Sequence, residues 1–477
     1  MLVRDKLFID GKWMASAGKD TLSVINPATE EVIATVPAGT EQDVAAAVSA
    51  ARTAFDDWAN TSVEQRSALL KNLVEGLQAR AEELAITITD ELGMPIEFSR
   101  SIQTAMPLET LQLYTEMTDC FEDEQLDNSL VVREPVGVVA CITPWNYPLL
   151  QVVLKVAPAL LAGCTVVLKP SEITPLDSFI LAEVVADAGI PAGVFNLVSG
   201  TGAKVGECLA RHPEVDMVSF TGSTRAGRRV SQLAAETIKR VALELGGKSP
   251  ALVLDDADLS MAIESTLSSC FINTGQTCDA MTRLLIPEGL YDQTVNLALE
   301  MASSFTVGDP TGTEAKIGPL VSEKQRRRVR AYIEKGIEEG AELLLGGVEP
   351  PSGLEKGWYV QPTIFGRVTP QMIVAREEIF GPVLSILTYR DEDEAVAIAN
   401  DTSYGLAAAV WSADEKRALN IAKRLRAGQV GVNGGPGNLM APFGGYKQSG
   451  NGREMGRYGL EEFFEIKAIQ MPKKLRA

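Results

Sequence analysis

Histidine is almost missing from this chain: His212 is the only one in 477 residues. That count excludes a metal centre built on imidazole ligands, and no Cys-x-x-Cys pair offers the usual alternative. Ser-His-Asp or Cys-His catalysis would have to run through His212, which precedes Pro213 in a turn-like context, so a cysteine nucleophile here needs another base. Cysteine is sparse as well. Cys120, Cys141, Cys164, Cys208, Cys270 and Cys278 are scattered, no disulfide framework for so long a chain, and a reducing, cytoplasmic setting is expected. Basic residues are the minority, 44 Lys+Arg against 63 Asp+Glu, and the net charge of −19 argues against nucleic acid as a partner. Long apolar runs are lacking too. The longest, 156–168, carries Pro158 and Gly163 and is too short to cross a bilayer, and charges break the N-terminal segment, so neither membrane association nor a secretory signal is expected.

What is present is ordinary for a globular protein, 45% hydrophobic and 22% charged, at a length that predicts two or three domains. Residues 7–37 read as short strands. Thr40-x-x-Asp43 caps a helix with apolar spacing at Val44, Val48, Ala51, Phe55 and Trp58, and Ser62-x-x-Gln65 caps a longer one carrying Leu69 through Ile88. A third helical stretch is expected over 96–119, and two strands around Glu134-Pro135 over 128–139. From 137 to 244 strands and helices alternate, which predicts a parallel sheet with crossover helices and a ligand site at the strands' carboxyl ends. A second α/β region runs from Ser249 to about residue 445. Lys324-Gln-Arg-Arg-Arg328 falls in a helical pattern and reads as a solvated face.

Five stretches carry chemistry. In Phe271-Ile-Asn-Thr-Gly-Gln-Thr-Cys278-Asp-Ala280, a cysteine sits between a helical pattern and a strand-like one; a nucleophile and a merely packed residue are equally served by that stretch alone. Leu168-Lys-Pro-Ser-Glu172 places a carboxylate at a strand end, suited to the ribose hydroxyls of an adenosine, or to a plain surface turn. Phe220-Thr-Gly-Ser-Thr-Arg-Ala-Gly227 opens a helix whose free N–H groups could hold a pyrophosphate with Ser223, unless Ser223 or Thr224 is only a cap. Leu243-Glu244-Leu-Gly-Gly247 desolvates an acid, which suits a general base; a salt-bridged core glutamate is the alternative. Thr143-Pro-Trp-Asn-Tyr-Pro148 could aim an amide at an oxyanion, or simply fill a turn. Beside these, Arg376-Glu-Glu-Ile-Phe-Gly-Pro382 offers either a ribose-binding carboxylate or a solvated acidic loop.

In this order the stretches resemble the aldehyde dehydrogenases, from Phe8-Ile-Asp-Gly-Lys-Trp13 to Pro442-Phe-Gly-Gly-Tyr-Lys-Gln-Ser-Gly-Asn-Gly-Arg-Glu454, and Cys278 follows Glu244 at the family's spacing. The resemblance implies a Rossmann-like cofactor domain (1–120 and 141–247), an α/β catalytic domain (248–445) and a β-arm for oligomerisation (121–140 and 446–477). It implies that Cys278 attacks the aldehyde and Asn146 with the Cys278 N–H holds the oxyanion. After hydride transfer leaves a thioester, Glu244 activates water, and Lys155 and Glu454 relay protons. Trp145, Lys169, Ser171, Glu172, Gly202, Phe220, Gly222, Ser223, Leu245, Glu378 and Phe380 form the implied cofactor set, with NAD favoured over NADP because Glu172 would repel a 2′-phosphate. Tyr147, Gln151, Leu154, Thr277, Asp279 and Phe443 are the implied substrate contacts, and a homodimer or homotetramer is expected. A coenzyme-A-acylating relative would usually lack Glu244, a non-catalytic structural relative would lose site residues that are all kept, and a cysteine hydrolase would not need NAD.

Overall fold

From Val138 onward, short strands of aliphatic residues are buried along their whole length, a pattern that only a sheet covered on both faces accommodates. The computed structural model describes residues 1–472. Its eight-stranded sheet runs, in spatial order, Gly450–Asn451, Arg240–Glu244, Met217–Thr221, Val138–Ile142, Thr165–Lys169, Phe195–Leu197, Lys6–Ile9 and Lys12–Ala15. The five inner strands are parallel. Val138–Ile142 is the turning point: the chain first adds strands on one side of it and then on the other. A crevice opens at such a switch point beyond the carboxyl ends. Asn146, Lys169, Thr221 and Glu244 all sit at those ends.

The seven-stranded sheet runs Glu342–Leu345, Thr363–Gly366, Val383–Tyr389, Met281–Pro287, Ser249–Val253, Ala407–Trp411 and Gln429–Val432, parallel except for the first strand. Cys278 lies three residues before Met281–Pro287, at that strand's entry, and Gly247 brings its backbone against the Cys278 carbonyl. The segment that leaves the large sheet after Glu244 therefore passes directly against the nucleophile. A separate three-stranded antiparallel sheet joins Phe464–Gln470, Ser129–Pro135 and Glu124–Leu126. Its edge strand leaves Ile466 and Ile469 exposed. Residues 450–451 pair with Arg240–Glu244 in the large sheet, and 473–477 of the expected arm lie outside the described residues.

Local departures from expectation have local causes. The long helix expected after Ser62 is two, Val63–Ala79 and Ala81–Leu92, broken where Arg80 leaves helical dihedrals and its guanidinium reaches Glu83 and Glu183, each at 2.7 Å. The stretch 96–119 is a π-type turn, Ser99–Ala105, leading into Met106–Glu116; Pro107 has no N–H to give, so regular pairing cannot run through it. Glu134-Pro135 ends one strand rather than joining two in one arm, and Val138–Ile142 belongs to the large sheet. Both capping boxes, at Thr40 and Ser62, form as the spacing predicts.

Candidate active site

The turn before Cys278 holds three consecutive residues in the left-handed region, Asn273 (φ 50°), Thr274 (φ 56°) and Gly275 (φ 71°). Such backbone costs about 1–3 kcal/mol per non-glycine residue and persists only where its surroundings fix it. Here they do. Asn273 donates to the Asn146 carbonyl at 2.8 Å, Gln276 donates to the Asn273 carbonyl and accepts from the Val321 N–H at 2.9 Å, and Thr274 donates to the Gly318 carbonyl at 3.0 Å. Gly275 is required twice over, by its dihedral and because a β-carbon would stand 2.2 Å from the Gly381 carbonyl. Among the six cysteines only Cys278 is not fully buried. Desolvation pushes its thiol well above the ordinary range, and the charges of Asp279, Glu378 and Glu244 add to the rise.

Asn146 is buried against this turn. Its amide donates one hydrogen to the Gln276 carbonyl at 3.0 Å, which leaves the second N–H for a ligand oxygen. Its own carbonyl accepts from Gln103 and Asn273, so the residue is fixed from both sides. Gln103, Asn273 and Gln276 were not singled out in the sequence; three amide residues that hold a turn leave no motif of their own.

Across the crevice, Glu244 ends its strand 5% exposed, with no protein donor on either carboxylate oxygen. Burial holds its pKa well above the carboxylate range, and Glu454 raises it further, while Lys155 and Arg453 act the other way. Gly444 lets the backbone pass beside it, since a β-carbon there would lie 2.8 Å from Glu244 Oε1. The ion pair is made by neighbours instead. Lys155, fully buried on the helix Pro148–Ala162, donates to Glu454 and, at 2.6 Å, to Thr221 Oγ1. Phe443 holds Glu454 by two backbone hydrogen bonds of 2.7 and 2.8 Å.

Between the two sheets lies a pocket of about 440 Å³ lined by Trp145, Asn146, Gly222, Ser223, Leu245, Cys278, Glu378 and Phe380 among the expected residues. The Trp145 and Phe380 rings meet edge to face at 5.3 Å. Glycine shapes the floor: a β-carbon on Gly246 would lie 2.3 Å from the Glu378 carboxylate, whose Oε1 accepts the Gly247 N–H at 3.0 Å. Burial pushes Glu378 up to about 7. Ser223 caps the helix Thr224–Ala234, its hydroxyl accepting from the Ala226 N–H at 3.3 Å, and still faces the pocket.

Lys169, Ser171, Glu172, Gly202 and Phe220 do not line that volume. Lys169 is buried, donates to the Pro170 carbonyl and to Glu172 at 3.4 Å, and desolvation lowers its pKa. The Ser171 hydroxyl accepts from the Ile173 N–H, Gly202 borders open space, and Phe220 packs its ring on Gly222. Missed in the sequence were Arg225, Ser322, Lys324, Gln325 and Arg328. The basic run 324–328 is exposed at Lys324, Arg327 and Arg328, as a solvated face predicts, and it also borders the pocket: Lys324, Gln325 and Arg328 line it, with Arg328 donating to the Glu378 carbonyl at 2.6 Å and Gln325 to that of Phe380 at 2.7 Å. Arg327 faces solvent alone, pairing with Glu323.

On the opposite side of Cys278, Tyr147, Leu150 and Leu154 form a buried apolar cluster against Ile102, Met106 and Met455. The Tyr147 hydroxyl meets Thr277 Oγ1 at 2.7 Å. Gln151 turns away to accept from Lys155 at 3.4 Å. Burial raises the pKa of Asp279.

A nucleotide-sized pocket with three cations, glycine-lined walls and a thiol at one end fits a dinucleotide. The sequence model of the aldehyde dehydrogenase family matches residues 13–469. The chain belongs to the aldehyde dehydrogenase family. Among its relatives is a Pseudomonas sp. protein named 3-succinoylsemialdehyde-pyridine dehydrogenase, 50% identical over 471 residues that cover 97% of this chain and 98% of the relative. The structure of a cysteine-to-alanine variant of Pseudomonas syringae aldehyde dehydrogenase C with NAD+ and octanal superposes at a TM-score of 0.97, with 48% identity over 98% of this chain and 96% of that one. The Mycobacterium tuberculosis aldehyde dehydrogenase with NAD+ also gives 0.97, with 43% identity and complete coverage of both. This aldehyde dehydrogenase is an NAD-dependent oxidoreductase that converts an aldehyde to the carboxylic acid. No helix among the described residues is long and apolar enough to cross a membrane.

Proposed function

We propose that Cys278 is the nucleophile and Glu244 the base of this oxidation. The observation that carries the reading is a pair of desolvated acids of unequal surroundings on one crevice, one the thiol of a half-buried residue on the pocket wall and the other a carboxyl without any donor. The Cys278 thiol gives its proton to water in the crevice as the sulfur bonds to the aldehyde carbon, and the carbonyl electron pair moves to the oxygen, which gains the negative charge. The free N–H of Asn146 and the Cys278 backbone N–H take that charge. NAD, when bound, accepts the hydride and leaves a thioester on Cys278. Glu244 then takes a proton from water as the water oxygen bonds to the acyl carbon and the carbon–sulfur bond breaks. A carboxyl raised toward neutrality and free of hydrogen bonds suits that task, and it favours hydrolysis over transfer to coenzyme A.

NAD is held, on this reading, by Trp145, Leu245, Gly222 and Ser223 along the pocket, with Arg225, Lys324 and Arg328 supplying positive charge for the pyrophosphate. Glu378 and Phe380 take the nicotinamide ribose, and Lys169 with Glu172 the adenosine ribose. The uncharged wall of Tyr147, Leu150, Leu154, Ile102, Met106 and Met455 favours an aldehyde with an apolar, uncharged tail. The antiparallel arm, with Ile466 and Ile469 on its open edge, supports a homodimer or homotetramer, and the scattered reduced cysteines support a cytoplasmic setting. A panel of octanal, benzaldehyde, succinate semialdehyde and an aminoaldehyde with NAD tests the substrate reading. Octanal is expected to give the highest kcat/KM, and a preference for a charged aldehyde contradicts it.

A further inference from the structure

The two donors of the oxyanion site arrive on different parts of the fold. Asn146 stands just before the helix Pro148–Ala162, which packs on the large sheet, and Cys278 just before the strand Met281–Pro287 of the seven-stranded sheet. Bonds between the two segments have to fix where one donor lies relative to the other. Among the described residues, three side-chain hydrogen bonds join residues 146–147 to the turn that leads into Cys278. Two of them use Asn146 itself, whose amide donates to the Gln276 carbonyl at 3.0 Å and whose carbonyl accepts the Asn273 amide at 2.8 Å. The third joins the Tyr147 hydroxyl to Thr277 Oγ1 at 2.7 Å, with either oxygen able to donate.

Thr277 is the first residue of the tight turn that carries the nucleophile. Its carbonyl accepts the Ala280 N–H at 3.3 Å, which places Cys278 and Asp279 at the two central positions. Tyr147 is anchored just as directly on the other side. Its carbonyl accepts the Gln151 N–H at 2.9 Å as the helix starts, and its ring packs among Leu150, Leu154, Ile102 and Met106. Both bonds through Asn146 start from one residue, so alone they leave the turn free to pivot about it. The Tyr147 hydroxyl stands at the far end of a phenol ring and removes that freedom.

We propose that the Tyr147–Thr277 hydroxyl pair is a latch that fixes Cys278 against Asn146, so that both are positioning residues for the attack on the aldehyde. The proposal rests on the reading of Cys278 as nucleophile and Asn146 as oxyanion donor. The face of the Tyr147 ring remains tunnel wall; the two hydroxyls act through Cys278 and Asn146 and not on the aldehyde's tail. Neither hydroxyl gives up its proton in the reaction. Burial pushes the Tyr147 hydroxyl further above its ordinary range, against the bond from Thr277, so it stays protonated and acts by place alone.

Thr277→Val and Tyr147→Phe each remove one oxygen and keep nearly the same shape. At saturating NAD, each is expected to slow the first NADH formed from octanal about tenfold, the scale of a small misplacement of reacting groups. The KM for octanal is expected to stay within about twofold, and benzaldehyde to lose the same factor in rate. The double variant is expected to lose about tenfold as well, because one bond can be broken only once. Thr277→Ser keeps the hydroxyl and is expected to stay within about twofold of the unaltered enzyme. In an Asn146→Ala background, Thr277→Val is expected to add less than about twofold. Alkylation of Cys278 by iodoacetamide needs no oxyanion donor and is expected to be unchanged. A loss of about a hundredfold in the double variant overturns the latch, since the hydroxyls then act independently. A raised KM at an unchanged first-NADH rate overturns it too, by making the hydroxyls substrate contacts. Should Asn146→Ala slow the first NADH and Thr277→Val not, the latch alone falls; should Asn146→Ala leave that rate unchanged, the oxyanion reading falls and the latch with it.

Discussion

The two sides of the crevice hold their reactive groups in opposite ways. Cys278 follows a turn of three left-handed residues that side-chain hydrogen bonds tie down, with Asn273 donating to the Asn146 carbonyl, Thr274 to the Gly318 carbonyl, and Gln276 accepting from the Val321 N–H. Glu244 ends a regular strand and carries no protein donor on its carboxylate. A nucleophile has to be placed, because a sub-ångström error in the attack geometry is costly. A base has to be poised between two protonation states, and every hydrogen bond to its charged form would pull the pKa back down. Backbone strain thus fixes position at one wall, and desolvation sets acidity at the other.

Substitutions that act on one wall should leave the other's signature intact. Cys278→Ser is expected to show the largest effect, a loss of aldehyde-dependent NADH formation of at least about a thousandfold, with NAD binding retained by fluorescence titration. Normal turnover in that variant would remove the thiol from the chemistry. Asn146→Ala is expected to lower the rate of the first NADH formed by about 100- to 1,000-fold, in line with the loss of an oxyanion donor. A stopped-flow trace that leaves this phase unchanged would detach Asn146 from the oxyanion. Gly246→Ala, whose β-carbon would meet the Glu378 carboxylate, is expected to weaken NAD binding on the order of tenfold, ~1.4 kcal/mol, by calorimetry, without altering Cys278 alkylation by iodoacetamide.

The smallest effect is one of pH. Glu378 sits near 7 in the fold, so it is anionic above that value and neutral below it. As an acceptor of ribose hydroxyls the anion is the stronger partner, and NAD affinity is expected to fall a few-fold from pH 8 to pH 6. Glu378→Gln is expected to flatten that dependence, and a wild-type affinity that rises on acidification contradicts it.

Strands and caps were legible because their causes are local. Thr40-x-x-Asp43 and Ser62-x-x-Gln65 name their own hydrogen-bond partners, and the buried strands announce themselves as unbroken aliphatic runs. Cys278, Glu244 and Asn146 were legible because their motifs each end an element. The break at Arg80 was not, since its partner Glu183 lies 103 residues away and nothing near Arg80 points to it. The basic run 324–328 was read correctly as exposed, but its place on the pocket wall was hidden for a related reason. Charge alone reads as solvated, and only the position of the Glu378–Phe380 segment against that helix turns Arg328 and Gln325 into pocket residues. Gln103, Asn273 and Gln276 were invisible because they act through one another across the crevice.

The contrast between the walls is tested most directly by rapid mixing of Glu244→Gln with NAD and octanal. One equivalent of NADH per site is expected at close to the wild-type rate, followed by a halt or a steady state at least about a hundredfold slower, with acyl-cysteine recoverable at Cys278. Steady turnover at the wild-type rate without an initial burst would contradict it, and so would loss of the first equivalent.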